Sequence, residues 1–540
     1  MPFRVFLGGA AQQVADRPVA EVQAFGFREV EHPGLADDPG QVHRAVVGLA
    51  QQLAVRVGGA ELREAAPTRR PDREVPAGRV SQGHHPVQPE AVFAGDVAEL
   101  VDSCEDVGEG VGPAAAVAVG TGLLLLPAAK AGGGGASLLE ALFTATSAVC
   151  VTGLITVDTP VFWSGFGQVV ILILIQVGGF GVMSFGTLLG VLTARRLGLK
   201  SRISAATETK SSGFGDVRRV LVGVLLISAV VEALLALILA VRFRSGYGYA
   251  LGDAVWHGVF HSISSFNNAG FALYSDNLMG FVGDPWVCLP IAAAVIIGGL
   301  GFPVLFELGR QYRRPIHWSM NTKLVLVGSA ILLAGGTVFL TAVEWANPAT
   351  LGGLHPAERM LAGFFQSVIT RTAGFNSIDI AQMNPVSWLG MDIMMFIGGG
   401  PAGTAGGLKI TTLAVLFFIL STELQGGTAV NIFGKRLSRA VHRQAITVVL
   451  LAIALVTGAT MFLMLITDFG QERILFEVIS AFATVGLSTG ITAGMPPAGQ
   501  LVLILLMFVG RLGPVTLGAA LALRERPLLY EYPKERPLIG

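Results

Sequence analysis

The chain is 540 residues long, 52% hydrophobic and only 14% charged, with a mean hydropathy of +0.63. A soluble protein carries roughly 25% charged residues, so the composition excludes a string of water-soluble domains and points to lipid as the main solvent. Lys plus Arg and Asp plus Glu are both 37, without the basic surplus that a nucleic-acid partner needs. Cys104, Cys150 and Cys288 form no CxxC pair, which argues against a disulfide scaffold or a zinc ribbon. The HExxH and GxxxxGK[ST] patterns are absent, so zinc-protease and P-loop chemistry lack their residues.

Residues 1–111 contain no Lys, Ile, Asn, Tyr or Trp and are dominated by Ala, Val, Gly, Arg, Pro, Glu, Asp and Gln. So few large apolar side chains cannot bury a core. The segment reads as an N-terminal extension, either disordered or a mis-called start in which another frame of GC-rich sequence is translated. It has no apolar signal region in its first 30 residues, and His84-His85 reads as solvated loop. The first apolar run, Ala114 to Leu126, holds 13 residues between Pro113 and Pro127, against about 20 for a bilayer span. Glu99, Asp102, Glu105, Asp106 and Glu109 precede it, where a cytoplasmic flank would hold Lys or Arg. It reads as a truncated first span.

Four segments then align without gaps: FTATSAVCVTGL (143–154), FHSISSFNNAGF (260–271), FQSVITRTAGFN (365–376, offset by one) and FEVISAFATVGL (476–487). Anchored on Gly153, Gly270, Gly374 and Gly486, Phe stands ten positions earlier every time, at Phe143, Phe260, Phe364 and Phe476. Six positions before the anchors stand Ser147, Ser264, Val368 and Ser480. A second glycine cluster follows each anchor, at Gly178, Gly298, Gly398 and Gly510, with offsets of 25, 28, 24 and 24. These clusters lie in apolar runs 166–193, 285–306, 386–420 and 498–523, and further runs 220–241, 324–343 and 445–467 precede three of the anchors. The unit is a span, a short re-entrant element and a span, repeated four times. The expected fold is an all-α polytopic membrane protein with about eight transmembrane helices around a pseudo-fourfold central pore. The repeats cover about 112–200, 218–310, 323–425 and 444–525, within a membrane domain of 112–540 that ends in a short tail.

Connector charge sets the orientation. Arg195, Arg196, Lys200, Arg202, Lys210, Arg218 and Arg219 follow the first unit; Arg310, Arg313, Arg314 and Lys323 follow the second; Lys435, Arg436, Arg439 and Arg443 follow the third. The opposite connectors carry acids, among them Asp158, Asp276, Asp284 and Glu344. By the positive-inside rule the basic side is cytoplasmic, both termini lie there, and the re-entrant elements enter from outside.

Non-helical backbone at membrane depth is tolerated where it lines a watery cavity, and a ring of carbonyls can replace the water shell of a cation. A short helix starting at each Phe would aim the negative end of its dipole at that cation. The filter-like triplets are Val151-Thr152-Gly153, Asn268-Ala269-Gly270, Thr372-Ala373-Gly374 and Thr484-Val485-Gly486. They hold no carboxylate, so backbone oxygens are the expected ligands.

At these residues the chain resembles the Trk/Ktr/HKT superfamily of potassium transporters. SAVCVTGL, SSFNNAGF, TRTAGFN and FATVGLSTG resemble its four pore loops, and GGGPAGTAGGLKITT (398–412) and GRLGPVTL (510–517) its inner segments. The resemblance covers about 112–540, is most like the KtrB-type membrane subunit, and leaves 1–111 unmatched. It implies K+ uptake across the cell membrane and K+ at the filter residues as the only bound metal. It also implies no covalent cofactor, with Na+ as a coupling or regulatory ion. The implied partners are the lipid bilayer, a second copy in a homodimer, and a cytoplasmic nucleotide-binding regulatory ring of the KtrA/TrkA-like RCK kind. Glycine at all four anchors implies potassium selectivity, since sodium-passing plant-type relatives carry Ser at the first. A sodium-permeable, HKT-like transporter is the alternative. A membrane-embedded enzyme would need a catalytic cluster at membrane depth. His257 and His261 lack a third ligand for one and read as outer-mouth residues.

Charged residues inside the apolar runs are costly, about 2.5–3.5 kcal/mol or more each, and so mark function. Arg371 and Glu477 are expected to pair behind the filter and fix its shape. Lys409 reads as an anchor at the cytoplasmic end. Arg511 stands midway along the last run, where the other repeats have Gly179, Gly299 and Gly399, and is expected to face the cavity below the filter. Six glycines in GGGPAGTAGG (398–407) oppose a rigid helix. Gly403, Thr404, Ala405 and Gly406 are expected to form a flap whose carbonyls cap Arg511, together making a gate.

Overall fold

The computed structural model describes residues 112–132, 134–194, 214–427 and 429–513, and among these the side chains of 181–194, 214–221 and 440 are not described. The extension 1–111, the first basic connector (195–213) and the tail from 514 lie outside the described residues. The longer helices are α1 (112–124), α2 (Leu138–Val149), α3 (Gly165–Ala194), α4 (Phe214–Gly246), α5 (Leu251–Phe266), α6 (Pro285–Leu300) and α7 (Phe302–Gln311). They continue with α8 (Met320–Glu344), α9 (Pro356–Ile369), α10 (Pro385–Phe396), α11 (Ile410–Leu424), α12 (Arg439–Ile466), α13 (Gln471–Phe482) and α14 (Pro497–Leu512). A two-residue-per-strand hairpin, β1 (Asn431–Ile432) with β2 (Lys435–Arg436), closes the basic connector before α12.

Local chemistry sets the helix starts. Ser137 and Glu140 form a reciprocal capping box on α2, and His355 and Glu358 do the same on α9. Ser319 and Ser438 cap α8 and α12, supplying acceptors for amides that have no partner in the helix. Asp284 caps α6 by accepting from the Trp286 amide at 2.9 Å, and also takes Arg242 Nε at 2.7 Å and the Tyr247 hydroxyl at 2.9 Å. Burial, then the Asp284 carboxylate, push the Tyr247 phenol up to about 12. The short helices start well before the phenylalanines expected to open them: Leu138 precedes Phe143, Leu251 precedes Phe260, Pro356 precedes Phe364 and Gln471 precedes Phe476. Capping boxes outside the aligned motif mark the starts of α2 and α9, whereas α5 and α13 start after Ala250 and Gly470 without a side-chain cap.

The helices close into a cycle. Within a repeat the short helix packs on its own long helix, α5 on α4, α9 on α8 and α13 on α12. Between repeats each inner helix packs on the next short helix: α3 on α5, α6 on α9, α10 on α13, and α14 back on α2. Lipid offers side chains an environment as apolar as the protein interior, so close packing rather than expulsion of water holds such helices. The second glycines permit it. A Cβ at Gly178, Gly298 or Gly510 would strike the carbonyl of Val149, Phe266 or Phe482, which is the residue four before the anchor in three repeats. Phe143, Phe260 and Phe476 are completely buried; in the third repeat Phe365, not the aligned Phe364, takes that role.

The inner runs are not four uniform spans. Three described helices are long and apolar enough to cross a membrane, Val222–Gly246, Met320–Glu344 and Val441–Ile466. The second inner run bends by 98° between α6 and α7. The bend falls at Gly301, with φ 92° and ψ 141°; Gly513, at the same place in the fourth repeat, has φ 92° and ψ 140°. The third is split into α10 and α11 by a loop from Ile397 to Lys409. Among the described residues, α3 alone continues as helix beyond its glycine cluster. The break is sited where the chain must leave the helix to reach a neighbouring repeat: Phe302 N donates to Ala402 O at 3.1 Å and Gly400 N to Gly299 O at 2.8 Å.

Candidate functional site

The cycle of helices delivers the four triplets to one place, and their backbones repeat one conformation. The first residue of each has positive φ (Val151 56°, Asn268 59°, Thr372 70°, Thr484 51°), the second does not, and the anchor glycine does again (88°, 73°, 68° and 90°). Alternation of left-handed and ordinary residues turns successive carbonyls toward one side. Positive φ is unfavourable for a β-branched side chain, and Val151, Thr372 and Thr484 all adopt it. Such strain costs about 1–3 kcal/mol per residue and collects at functional sites.

The anchors form a closed ring in chain order. A Cβ at Gly153 would strike the Ala269 carbonyl, one at Gly270 would lie 2.7 Å from the Ala373 carbonyl, one at Gly374 would lie 2.6 Å from that of Val485, and one at Gly486 would strike that of Thr152. Each glycine thus abuts the middle carbonyl of the next triplet, and the fourth meets the first. The triplet backbones are tied to their helices by matching bonds. Thr152 N, Ala269 N and Val485 N donate to Ser147 O, Ser264 O and Ser480 O at 2.8, 2.7 and 2.8 Å. In the third repeat, where Val368 replaces the serine, Ala373 N donates to Ile369 O instead. The hydroxyls of Ser147 and Ser480 accept from Gly153 N and Gly486 N at 3.0 and 3.1 Å. All twelve triplet residues are buried. Thr152 Oγ1, Asn268 Oδ1 and Thr484 Oγ1 have no hydrogen-bond partner, an expensive state for a buried oxygen and a suitable one for a cation ligand.

Above the ring lies a vestibule of about 170 Å³ that all four anchor glycines line, with Asp158 and Asp276 in its wall. Below it runs the Ile397–Lys409 loop. Thr404 Oγ1 donates to Phe266 O at 3.3 Å in the second repeat, and a Cβ at Gly406 would strike Thr484 of the fourth. The second and fourth repeats face each other across the ring, so the loop crosses beneath it. Arg511, buried, donates Nη1 to the Thr404 carbonyl and Nη2 to Gly178 O at 2.6 Å. One side chain therefore joins the first, third and fourth repeats. Gly403, Ala405 and Arg511 line a cavity of about 110 Å³ beneath, and Lys409 Nζ donates to Ala405 O at 2.7 Å.

One expectation fails. Arg371 and Glu477 do not pair: Arg371 Nη2 reaches Gly398 O at 3.5 Å, at the root of the loop. Glu477 accepts from Thr489 N at 3.0 Å, from Thr492 Oγ1 at 2.9 Å and from the Ser488 hydroxyl. Arg371 lies at the foot of its short helix and Glu477 two turns higher in the next, so they serve different depths. His261, expected at the outer mouth, is completely buried beneath Tyr274, a residue of the vestibule wall. A polar group at membrane depth went unread in the sequence. Glu232 on α4 accepts from Gln176 Nε2 at 3.1 Å and from Asn267 Nδ2 at 3.2 Å, directly behind the second triplet. The legible signal was a lone acid inside the run 220–241.

Membrane helices that carry a closed ring of backbone carbonyls define a membrane protein of the ion-transporting class. Residues 126–525 match the family profile described as TrkH, cation transport protein, and the chain belongs to that family, one of transporters and not of enzymes. It is 38% identical over 419 residues to the Ktr system potassium uptake protein B of Vibrio alginolyticus, covering 77% of this chain and 91% of that one. The protein of the same name from Bacillus subtilis is 38% identical over 410 residues (76% and 91%). The potassium/sodium uptake protein NtpJ of Enterococcus hirae is 35% identical over 427 residues (78% and 94%). The crystal structure of the potassium transporter TrkH from Vibrio parahaemolyticus shares the fold, with a TM-score of 0.57 at 16% identity, covering 82% of this chain and 87% of that one.

Proposed function

We propose that this protein is the ion-translocating subunit of a potassium uptake system in the cell membrane. The carrying observation is the closed ring of four identically folded triplets, open to a vestibule on one side and crossed by a loop on the other. In this reading residues 112–540 are the translocating domain, built of four span–loop–span repeats around the ring axis. Val151, Thr152, Gly153, Asn268, Ala269, Gly270, Thr372, Ala373, Gly374, Thr484, Val485 and Gly486 supply the selectivity filter. A K+ ion entering from the vestibule exchanges its water shell for their carbonyl oxygens.

Gly403 to Gly406 with Arg511 form the gate. The described arrangement is the closed one, with backbone across the exit and a guanidinium that repels a cation emerging from the filter. Opening requires release of both Arg511 bonds. Glu477 supports the filter by holding the segment after Gly486, and Arg371 by holding the root of the loop. The basic connectors support a cytoplasmic location for both termini. The relatives' names, as members of Ktr systems, support a separate regulatory subunit, which in this reading is a cytoplasmic nucleotide-binding ring acting on the gate of a homodimer.

A sodium-permeable transporter is the second reading, favoured by the potassium/sodium name of the Enterococcus relative; Na+ as a coupling ion is the related expectation. Rubidium and sodium influx into liposomes containing the purified protein separates the readings. Rubidium well above sodium supports potassium selectivity, equal fluxes support the second reading, and no flux of either refutes translocation by this chain.

A further inference from the structure

We propose that His261 is a positioning residue of the second filter loop, doing with a neutral imidazole what Glu477 does with a carboxylate in the fourth. The inference rests on the reading of the ring as the cation path. His261 stands nine residues before its anchor Gly270, and Glu477 nine before Gly486. His261 Nε2 accepts from the amide of Leu273, three residues past the anchor, at 3.3 Å. Glu477 accepts from the amide of Thr489, also three past the anchor, at 3.0 Å. The same residue pair of the repeat is therefore bonded in both, by chemically different acceptors. At the corresponding places in the first and third repeats stand Thr144 and Phe365. Phe365 has no acceptor, and Thr144 makes no side-chain bond to the segment beyond its anchor. The braced loops are the two that face each other across the ring.

The tautomer follows from the geometry. His261 Nδ1 lies 2.7 Å from the carbonyl oxygen of His257, so it must carry the proton, and Nε2 is left as the acceptor. The ring cannot turn to exchange these roles. It is completely buried and stacked on Tyr274, with centroids 5.0 Å apart and planes at 22°; Phe243, Phe260 and Phe375 close its other sides.

The segment that His261 holds links three repeats. Ser275 donates to Asp158 of the first repeat. Leu278 N donates to Asn376 O of the third at 3.0 Å, and Asn277 Oδ1 accepts from Asn376 N at 3.3 Å. The outer segments of loops one and three are thus secured through loop two, whereas loop four has its own brace in Glu477. Fixing Leu273 holds the outer edge of three of the four triplets.

The test is the ratio of rubidium to sodium influx in liposomes with the full-length protein, with thermal melting as the measure of folding. His261→Gln places an amide oxygen near the Nε2 position. His261→Asn is too short to do so, and His261→Phe keeps the bulk without an acceptor, as Phe365 does. The expected result is a near wild-type ratio for His261→Gln and a fall of about tenfold, equivalent to ~1.4 kcal/mol, for His261→Asn and His261→Phe. Thr144→Ala is expected to leave the ratio unchanged. A folded His261→Phe or His261→Asn with the wild-type ratio overturns the proposal, and so does loss of the ratio in His261→Gln. If His261→Phe does not fold, His261→Asn decides alone. Absence of selective influx in the wild-type protein would overturn the reading of the ring itself, and the unsubstituted sample identifies that outcome separately.

Discussion

Arg511→Ala removes the side chain that ties the intramembrane loop to both α14 and α3 beneath the ring. The guanidinium makes two charge-assisted bonds, to the carbonyls of Thr404 and Gly178. A hydrogen bond to a charged group contributes about 1.5–3 kcal/mol. Burying the guanidinium is itself costly, so the net support for the closed arrangement is set at about one such bond rather than two. Loss of ~1.5–3 kcal/mol from the closed state raises the open-to-closed ratio roughly ten- to hundredfold. Removal of the positive charge acts in the same direction, because it lowers the barrier to a cation leaving the filter. The expected result is a higher rubidium influx into liposomes and weaker control by the cytoplasmic partner. Deletion of Gly403 to Gly406 should do the same by removing the barrier itself. Arg511→Lys keeps the charge but cannot reach both carbonyls with one ammonium, so its influx should lie between wild type and Arg511→Ala. Influx that stays low and fully partner-dependent in both Arg511→Ala and the deletion would refute the gate.

Gly153→Ser should lower the rubidium-to-sodium influx ratio, because any side chain there meets the Ala269 carbonyl and strains a residue at φ 88°; an unchanged ratio would remove Gly153 from the filter. Gly510→Ala should lower the melting temperature of the purified protein, since a Cβ strikes the Phe482 carbonyl and overpacking costs about 1–3 kcal/mol. Melting at the wild-type temperature would show that α14 and α13 can separate freely. Asp158→Asn combined with Asp276→Asn should slow rubidium influx at low ionic strength and lose the effect at high salt, as expected for charges that concentrate cations in the vestibule. A deficit that persists at high salt would mean damage to the loops instead.

The repeat was legible in the primary structure because its constraints are local. A glycine that must take positive φ, a Phe ten residues before it and a serine six before it bear on the same short helix and turn, so they recur at fixed spacing. Arg511 was legible for a related reason: a charge among glycine-marked positions in an apolar run is conspicuous whatever surrounds it, and the nearby glycine-rich stretch is the natural source of carbonyls. Long-range partners were not legible. Arg371 and Glu477 have opposite charges and sit near their triplets, which suggests a pair, yet they stand at different depths. Each found closer neutral partners, Gly398 in one case and Ser488, Thr489 and Thr492 in the other. In the sequence His261 reads with His257 as half of an incomplete metal site, and only the fold shows it in the place of Glu477.

The amino-acid sequence by itself determined that this is a membrane protein with four glycine-anchored segments, and which backbone segments have the unusual conformations. Those properties depend on apolar run length and on glycine at fixed offsets, and both are written along the chain. The tertiary structure decided the cyclic order in which each inner helix meets the next repeat, the bend at Gly301 and the Ile397–Lys409 loop, and the acceptors that Arg371 and Arg511 find. Those choices depend on which carbonyl lies across an interface between repeats. Residues hundreds of positions apart, such as Gly178 and Arg511, supply the two halves of such a contact, and no spacing within one repeat encodes it.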